Sequence, residues 1–237
     1  VNVMVNCFLM NESTVNVSTN SFCTNASMLN DLDEQGAQIT LVCDPRLVSL
    51  FNRSFEFLTA IAKRPDNNYQ NLESAIDYWL LIGSLAKFYR ADVNDFKKST
   101  PYLRVDETLL NKWKNRYDSL DHPFNVGVSW SGGSKQKHKK LRSLSLEKLA
   151  PVLAIANKSA NIINLQYGDH QDEIGNFTKK NNIVIHDWED ADPLINLDDF
   201  SSQVKALDLV ISIDNTTVHF SGALGVSTMV MLPFNSD

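Results

Sequence analysis

Residues 212–225 read SIDNTTVHFSGALG, and the parsing of this stretch decides the fold. An apolar run, LDLVISI at 207–213, stops abruptly at Asp214, Asn215, Thr216 and Thr217. After Val218 come His219 and then small residues, Ser221, Gly222, Ala223 and Gly225. A short apolar run closed by polar residues reads as a buried strand. Polar residues with capping side chains, followed by a small-residue segment, read as the start of a helix. The stretch is therefore a strand that turns directly into a helix.

The same alternation continues outward. NLDDFSSQVKAL, QDEIGNFTKKN and SLEKLAPVLAIA read as helices, while NIVIHDW, ANIINLQY and FNVGVSW read as strands, with STMVML as a last strand downstream. In the N-terminal half, SMLNDLDEQG is a short helix ending at Gly36, and AQITLVC is a strand. DPRLVSLFNRSF is a helix begun by Asp44 with Pro45 at its first position, where the missing N–H costs nothing. DYWLLIGSLAKFYR is a strand running into a Gly-Ser turn, and YLRVDETLLNKWKNRYDSL is a helical connector with Leu109, Leu110, Trp113 and Tyr117 at helical spacing. Short apolar strands alternating with helices predict parallel α/β sheets covered on both faces. Two such units, 28–118 and 119–237, are the simplest architecture.

Bulk properties bound the function. A chain of 237 residues with 43% hydrophobic and 21% charged content supports a substantial core. Its net charge of −6 argues against a general nucleic-acid binder, which needs a basic footprint. No apolar stretch is long enough to span a bilayer, so no transmembrane segment is expected, although contact with a membrane surface stays open. Three cysteines without C-x-x-C spacing predict neither a disulfide framework nor a structural zinc, and the expected compartment is the cytoplasm. No His-x-x-x-His pair or other metal constellation is visible.

Residues 1–27 differ from the rest: rich in Asn, Ser and Thr, with Glu12 the only charge. They lack the basic and continuous apolar parts of a signal peptide. Their N-x-S/T triplets at Asn11, Asn16 and Asn25 are expected from composition alone, and no structure is predicted for them. Both ends read as cut, so the chain is expected to be a fragment.

In open parallel sheets, ligands bind beyond the carboxyl ends of the strands. One such end is VGVSWSGGSKQKHKKLRS. Gly127 and Gly132 mimic the spacing of a Walker A loop, but Gly133 stands where lysine is required and Lys135 arrives late, so an NTPase is rejected. No G-x-G-x-x-G supports a nicotinamide or flavin enzyme, and no cofactor is expected. Lys135, Lys137, Lys139, Lys140 and Arg142 could lie over a diphosphate, or could form a solvated surface loop. At the other end, Asp214 could accept hydrogen bonds from sugar hydroxyls. Asn215, Thr216 or Thr217 could cap a helix whose N-terminus favours phosphate, and His219 could donate to it. Small residues at 221–223 would let that helix sit close to the sheet. An N-cap and a core histidine account for the same residues without a ligand.

Taken together, VGVSWSGG, RSLSLEKLAPVL, NLQYGD, IHDWED, LDDFSSQVKALDLVISIDNTTVHFSGALG and MVMLP resemble the C-terminal half of glycosyltransferases of the GT-B type. The group is similar to the ADP-heptose heptosyltransferases of glycosyltransferase family 9 and is often attached to tetratricopeptide repeats. LVCDPRLVSLFNRSF and IGSLAKFYR…PYL resemble its first domain. The resemblance implies two Rossmann-like α/β domains facing across a cleft. It implies metal-independent transfer of a sugar from a nucleotide sugar to a glycan, glycolipid or protein acceptor. By position, Asp214, Asn215, Thr216, Thr217 and His219 should line the donor site, with Ser129, Trp130, Gly132, Gly133, Lys135 and Arg142 in the loop facing the diphosphate. Gln166 and Tyr167 should lie beside the nucleotide, and Ser84 on the acceptor side. The family also carries a Gly-x-Gly-Asp-Glu turn ahead of SMLNDL whose acid helps activate the acceptor. NSFCTNA stands there instead, so no catalytic residue is assigned, residues 1–27 are read as a reading-frame error or rearranged end, and binding without turnover is the rival expectation.

Overall fold

The computed structural model describes residues 1–6, 25–66, 69, 75–96, 100–132 and 143–232. The chain divides into two compact units, Val1–Arg104 and Val105–Asp237.

The first unit holds a four-stranded parallel sheet in the order β3-β2-β1-β4. Its strands are β1 (Asn2–Asn6), β2 (Gln38–Cys43), β3 (Leu58–Ala62) and β4 (Tyr78–Leu81). The N-terminal segment, for which the sequence predicts no structure, contains β1. Its Val3, Met4 and Val5 are all buried, and it pairs on both sides, Val3 with Ile39 and with Tyr78. Asparagines at both ends of NVMVN hide a three-residue apolar run that is long enough for the centre of a small sheet but too short to signal a strand. Helix α1 (Leu29–Asp33) ends before Gly36, whose φ of +77° is the left-handed turn the sequence suggests. Asp44 accepts a hydrogen bond from the Arg46 backbone N–H at 2.9 Å, capping a 3-10 turn at Pro45–Leu47 that leads into α2 (Val48–Ser54). Beyond β4 come a 3-10 turn at Ile82–Leu85 and the short α3 (Ala86–Tyr89). Arg90, just past it, reaches back to the buried Asp31 of α1 at 2.8 Å.

The second unit opens with α4 (Glu107–Asp118), capped by Asp106, which buries Leu110, Trp113 and Tyr117. Its five parallel strands run in the order β7-β6-β5-β8-β9. They are β5 (Phe124–Ser129), β6 (Ala160–Asn164), β7 (Ile185–His186), β8 (Leu209–Ile213) and β9 (Ser227–Met231). Between them lie α5 (Leu146–Ala156), α6 (Gln171–Asn181), α7 (Leu197–Lys205) and α8 (Thr216–Leu224). Strand order reverses between β5 and β8, so their carboxyl ends diverge and leave a crevice there.

Gly127, in the middle of β5, is a packing residue: a Cβ there would lie 2.5 Å from Leu165 and 2.5 Å from Leu207. That explains the glycine without any phosphate loop. One strand is shorter than expected. NIVIHDW pairs only at Ile185 and His186, because β7 is an edge and its Val184 turns outward, 53% exposed. STMVML also lies at an edge, with Met229 and Leu232 exposed. Among the described residues, no helix is long and apolar enough to cross a membrane.

Candidate functional site

The carboxyl ends of β5 and β8 are joined by a buried network of neutral groups. Asn215 is the N-cap of α8, its side-chain oxygen accepting from the Thr217 backbone N–H at 3.0 Å. The same oxygen accepts from Ser212 Oγ at 3.0 Å, and Asn215 Nδ2 donates to Ser129 Oγ at 2.7 Å. Ser129 Oγ in turn donates to Gln166 Oε1, just past β6. That one oxygen also accepts the backbone N–H of Trp130 at 3.0 Å and of Ser131 at 2.7 Å. Three strand ends are thereby tied together by hydroxyls and amides alone. A buried network satisfied in this way specifies one loop geometry, because any other arrangement strands polar groups away from water.

This separates the residues singled out in the sequence into two groups. Asn215, Thr217, Ser129 and Gln166 are buried, and the first, third and fourth use their side chains inside the network. Trp130 is 1% exposed and turns into the core with Leu146, Leu149 and Phe177. Its ring meets His170 edge-on at 5.6 Å, and its Nε1 has no hydrogen-bond partner among the described residues. Asp214, Thr216, His219 and Tyr167 are only half-buried, and these are the side chains at the surface of the strand ends. Gly132 lies close against the β8 end, where a Cβ would be 3.1 Å from Ile213 and 3.4 Å from Asn215. A larger residue there would make the Ile213 side chain shift by a few tenths of an ångström. Gly133, Lys135 and Arg142 lie outside the described residues, as does most of the NSFCTNA stretch. Ser84 is half-buried in the 3-10 turn at the carboxyl end of β4, in the first unit.

His219 Nε2 lies 4.0 Å from Asp214 Oδ1. Burial holds the imidazole below its ordinary pKa, and the Asp214 carboxylate opposes this less strongly. At neutral pH His219 is therefore an uncharged donor and acceptor rather than a fixed cation. Of the small residues in α8, Ser221 and Ala223 are buried, whereas a Cβ on Gly222 would meet nothing within 4 Å. Close packing thus rests on two of the three, and Gly222 faces outward.

The sequence marks the residues of a second feature, Gln166, Tyr167 and the acidic run HDWEDAD, but not that they enclose one cleft. Beyond β6 and β7 lies an open cleft of about 360 Å³ whose walls include Tyr167, Asp169, Asp187, Trp188, Glu189 and Asp192. Gln166 also lines it, linking it to the β5–β8 network. Its walls combine aromatic rings, carboxylates and the amides of Asn164, Gln166 and Gln171, a combination suited to a flat ring bearing N–H groups and to hydroxyls. IHDWED contributes three of the named walls, and Gln166 and Tyr167, expected beside the nucleotide, line it as well. Among the described residues, no group of three or more His, Cys, Asp and Glu side chains could hold a metal ion.

No protein-family model matches the chain. Protein FlbA of Caulobacter vibrioides is 27% identical over 218 residues, 87% of this chain and 36% of FlbA, so the chain spans about a third of that relative. The structure of a family 9 glycosyl transferase from Veillonella parvula matches with a TM-score of 0.65 at 10% identity, over 99% of this chain and 82% of that one. The ADP-heptose LPS heptosyltransferase II of E. coli matches with a TM-score of 0.61 at 11% identity, over 97% of this chain and 84% of that one. At such identities the likeness is one of fold, and it agrees with two parallel α/β sheets in sequence, the second reversing order at β5 and β8. The chain is a GT-B-like α/β protein similar in fold to the heptosyltransferases of glycosyltransferase family 9.

Proposed function

We propose that the chain is part of a glycosyltransferase, and that its second unit binds a nucleoside-diphosphate sugar at the carboxyl ends of β5 to β8. The observation that carries this reading is the meeting of the β5 loop, at Gly132, with the Asn215-capped start of α8, directly beside Asp214 and His219. A helix N-terminus presents backbone N–H groups and the positive end of a dipole to an anion. A neutral His219 adds a hydrogen bond to the same anion, and Asp214 can accept from sugar hydroxyls. The adjoining cleft, with Trp188 and its carboxylates, takes the base and ribose. A donor like the ADP-heptose in the name of the E. coli relative would fit this division.

In the reaction so assigned, an acceptor hydroxyl attacks the anomeric carbon and gives up its proton to solvent, the bond from that carbon to the diphosphate breaks, and the diphosphate leaves. Charge developing on the diphosphate is met by preorganised dipoles in a fixed geometry. The N-terminus of α8 supplies positive potential there, and we assign no metal to the step. Glycans and glycolipids are the proposed acceptors, with Ser84 on the acceptor side.

A thermal-shift panel of ADP-, GDP-, UDP- and CDP-sugars tests this. A ligand at 100 times its dissociation constant stabilises the fold by about 2.7 kcal/mol. One nucleotide class should raise the melting temperature, and Asp214→Ala and His219→Ala should lose that rise while remaining folded. A folded protein that answers to no nucleotide sugar overturns the reading.

A further inference from the structure

The wall of the nucleoside cleft is held in an unusual way. Strand β7, from which it issues, has only two paired residues, so the sheet anchors little of the segment from Asp187 to Pro193. Asn164 of β6 donates to Asp187 at 2.9 Å, and the part around Trp188 and Asp190 is held by one face of α4. The Arg116 guanidinium donates two parallel hydrogen bonds to Asp190, at 2.8 and 3.0 Å. It also lies 4.6 Å from the ring centre of Trp113 and 5.2 Å from that of Trp188. Trp188 meets Trp113 edge-on at 5.7 Å and is stacked on His186 at 5.9 Å. Lys112, one turn before Arg116, reaches both Asp190 at 3.2 Å and the buried Asp199 at 3.1 Å. Asp199 also accepts the Trp113 indole N–H at 2.9 Å, which fixes the platform on which Arg116 rests.

Two residues of the segment are therefore gripped by one side chain. Trp188 lines the cleft, and Asp190 lies between cleft residues Glu189 and Ala191. A bidentate arginine fixes the orientation of its partner as well as its distance, and a planar cation stacks on an indole face, so lysine cannot replace it in either role.

Building on the assignment of this cleft to the nucleoside, we propose that Arg116 is a positioning residue for nucleoside recognition. It touches no ligand itself. It sets the ring plane of Trp188 and the course of the chain through Asp190, and so sets the shape into which base and ribose fit.

The test uses the full chain, titrated with ADP, GDP, UDP and CDP and, separately, with inorganic pyrophosphate. Arg116→Ala should weaken the best-binding nucleotide by about tenfold and leave pyrophosphate affinity unchanged, because only the nucleoside end is disturbed. Asp190→Ala should do the same, and the double variant should be no worse than either single one, as for two residues acting through one contact. Arg116→Lys should not restore binding. Equal weakening of nucleotide and pyrophosphate, an additive double variant, or unaltered nucleotide affinity in Arg116→Ala each overturns the proposal. The last result, in a protein that binds nucleotide and loses it with Asp214→Ala, leaves the proposed function standing. A wild-type chain that binds no nucleotide brings down both.

Discussion

Two regions at the carboxyl edge of one sheet are built from opposite materials. Between β5 and β8 the connections are buried and neutral, running through Asn215, Ser129, Ser212 and Gln166. Beyond β7 they are charged and half in water: Arg116 with 25% of its side chain exposed, Asp190 with 51%, and the Arg116 guanidinium over the rings of Trp113 and Trp188. A neutral network gains its strength from dryness, since each member left unpaired costs about 1–3 kcal/mol. An exposed ion pair contributes about 0–1 kcal/mol and weakens with salt. The first construction fixes a backbone tightly. The second orients a wall at little cost in stability and leaves it open to adjustment. Under the proposed function, the diphosphate common to the four nucleotide classes would meet the first, and the base that differs among them the second.

That contrast can be broken by substitution. Asn215→Ala removes a helix cap and its hydrogen bonds with Ser129 and Ser212, which keep Gln166 and the Ile213 carbonyl as partners, so a loss of about 1–2 kcal/mol in urea denaturation is expected, unaltered by salt. A loss below about 0.5 kcal/mol would show that water replaces the amide and that the network is not what holds these ends. Arg116→Ala is expected to cost less than about 1 kcal/mol, with the difference shrinking in 1 M salt. A larger, salt-insensitive loss would mean that the β7 side is as rigid as the other and that the comparison is mistaken.

Acid should act on both ends in the same direction. His219 and His186 are each held below the ordinary value near 6.5, chiefly by burial. An unfolded chain takes up a proton at these positions near pH 6.5, while the folded chain does so only lower. In that interval the unfolded state binds more protons. Stability is thus fully present above pH 6.5 and declines as pH falls through the lowered pKa values. His219→Gln and His186→Gln should each flatten this decline in melts taken between pH 7.5 and 5. A slope that neither variant reduces would place the titration elsewhere. Asp190, held down at about 2 mainly by the Arg116 hydrogen bonds, keeps its contribution from above pH 3.8 until still stronger acid.

How legible this was differed element by element. LDLVISI followed by DNTT announced β8 and the cap of α8, because an apolar run closed by side chains able to bond backbone N–H groups is a local signal. Asp44 with Pro45, and Gly36, were legible for the same reason: each satisfies a need of its own turn of chain. Strand β1 was not, since NVMVN becomes a strand only through partners at Gln38–Val42 and Tyr78–Leu81. Strand β3, at LTAIA, passed unread for a similar reason. Gln166 and Trp130 were marked for the site, but nothing local says that one closes a network of three strand ends and the other fills the core.

By itself the sequence determined the alternation of strands and helices, the caps, and the polar cluster at the end of β8, since hydrophobic period and capping chemistry act over a few residues. Only the tertiary structure decided which polar residues are consumed inside, that Gly127 makes room for Leu165 and Leu207, and that Arg116 reaches across 74 residues to Asp190. Those outcomes depend on which surfaces meet when the sheet assembles. A side chain's partner at that distance is set by packing, and no spacing along the chain encodes it.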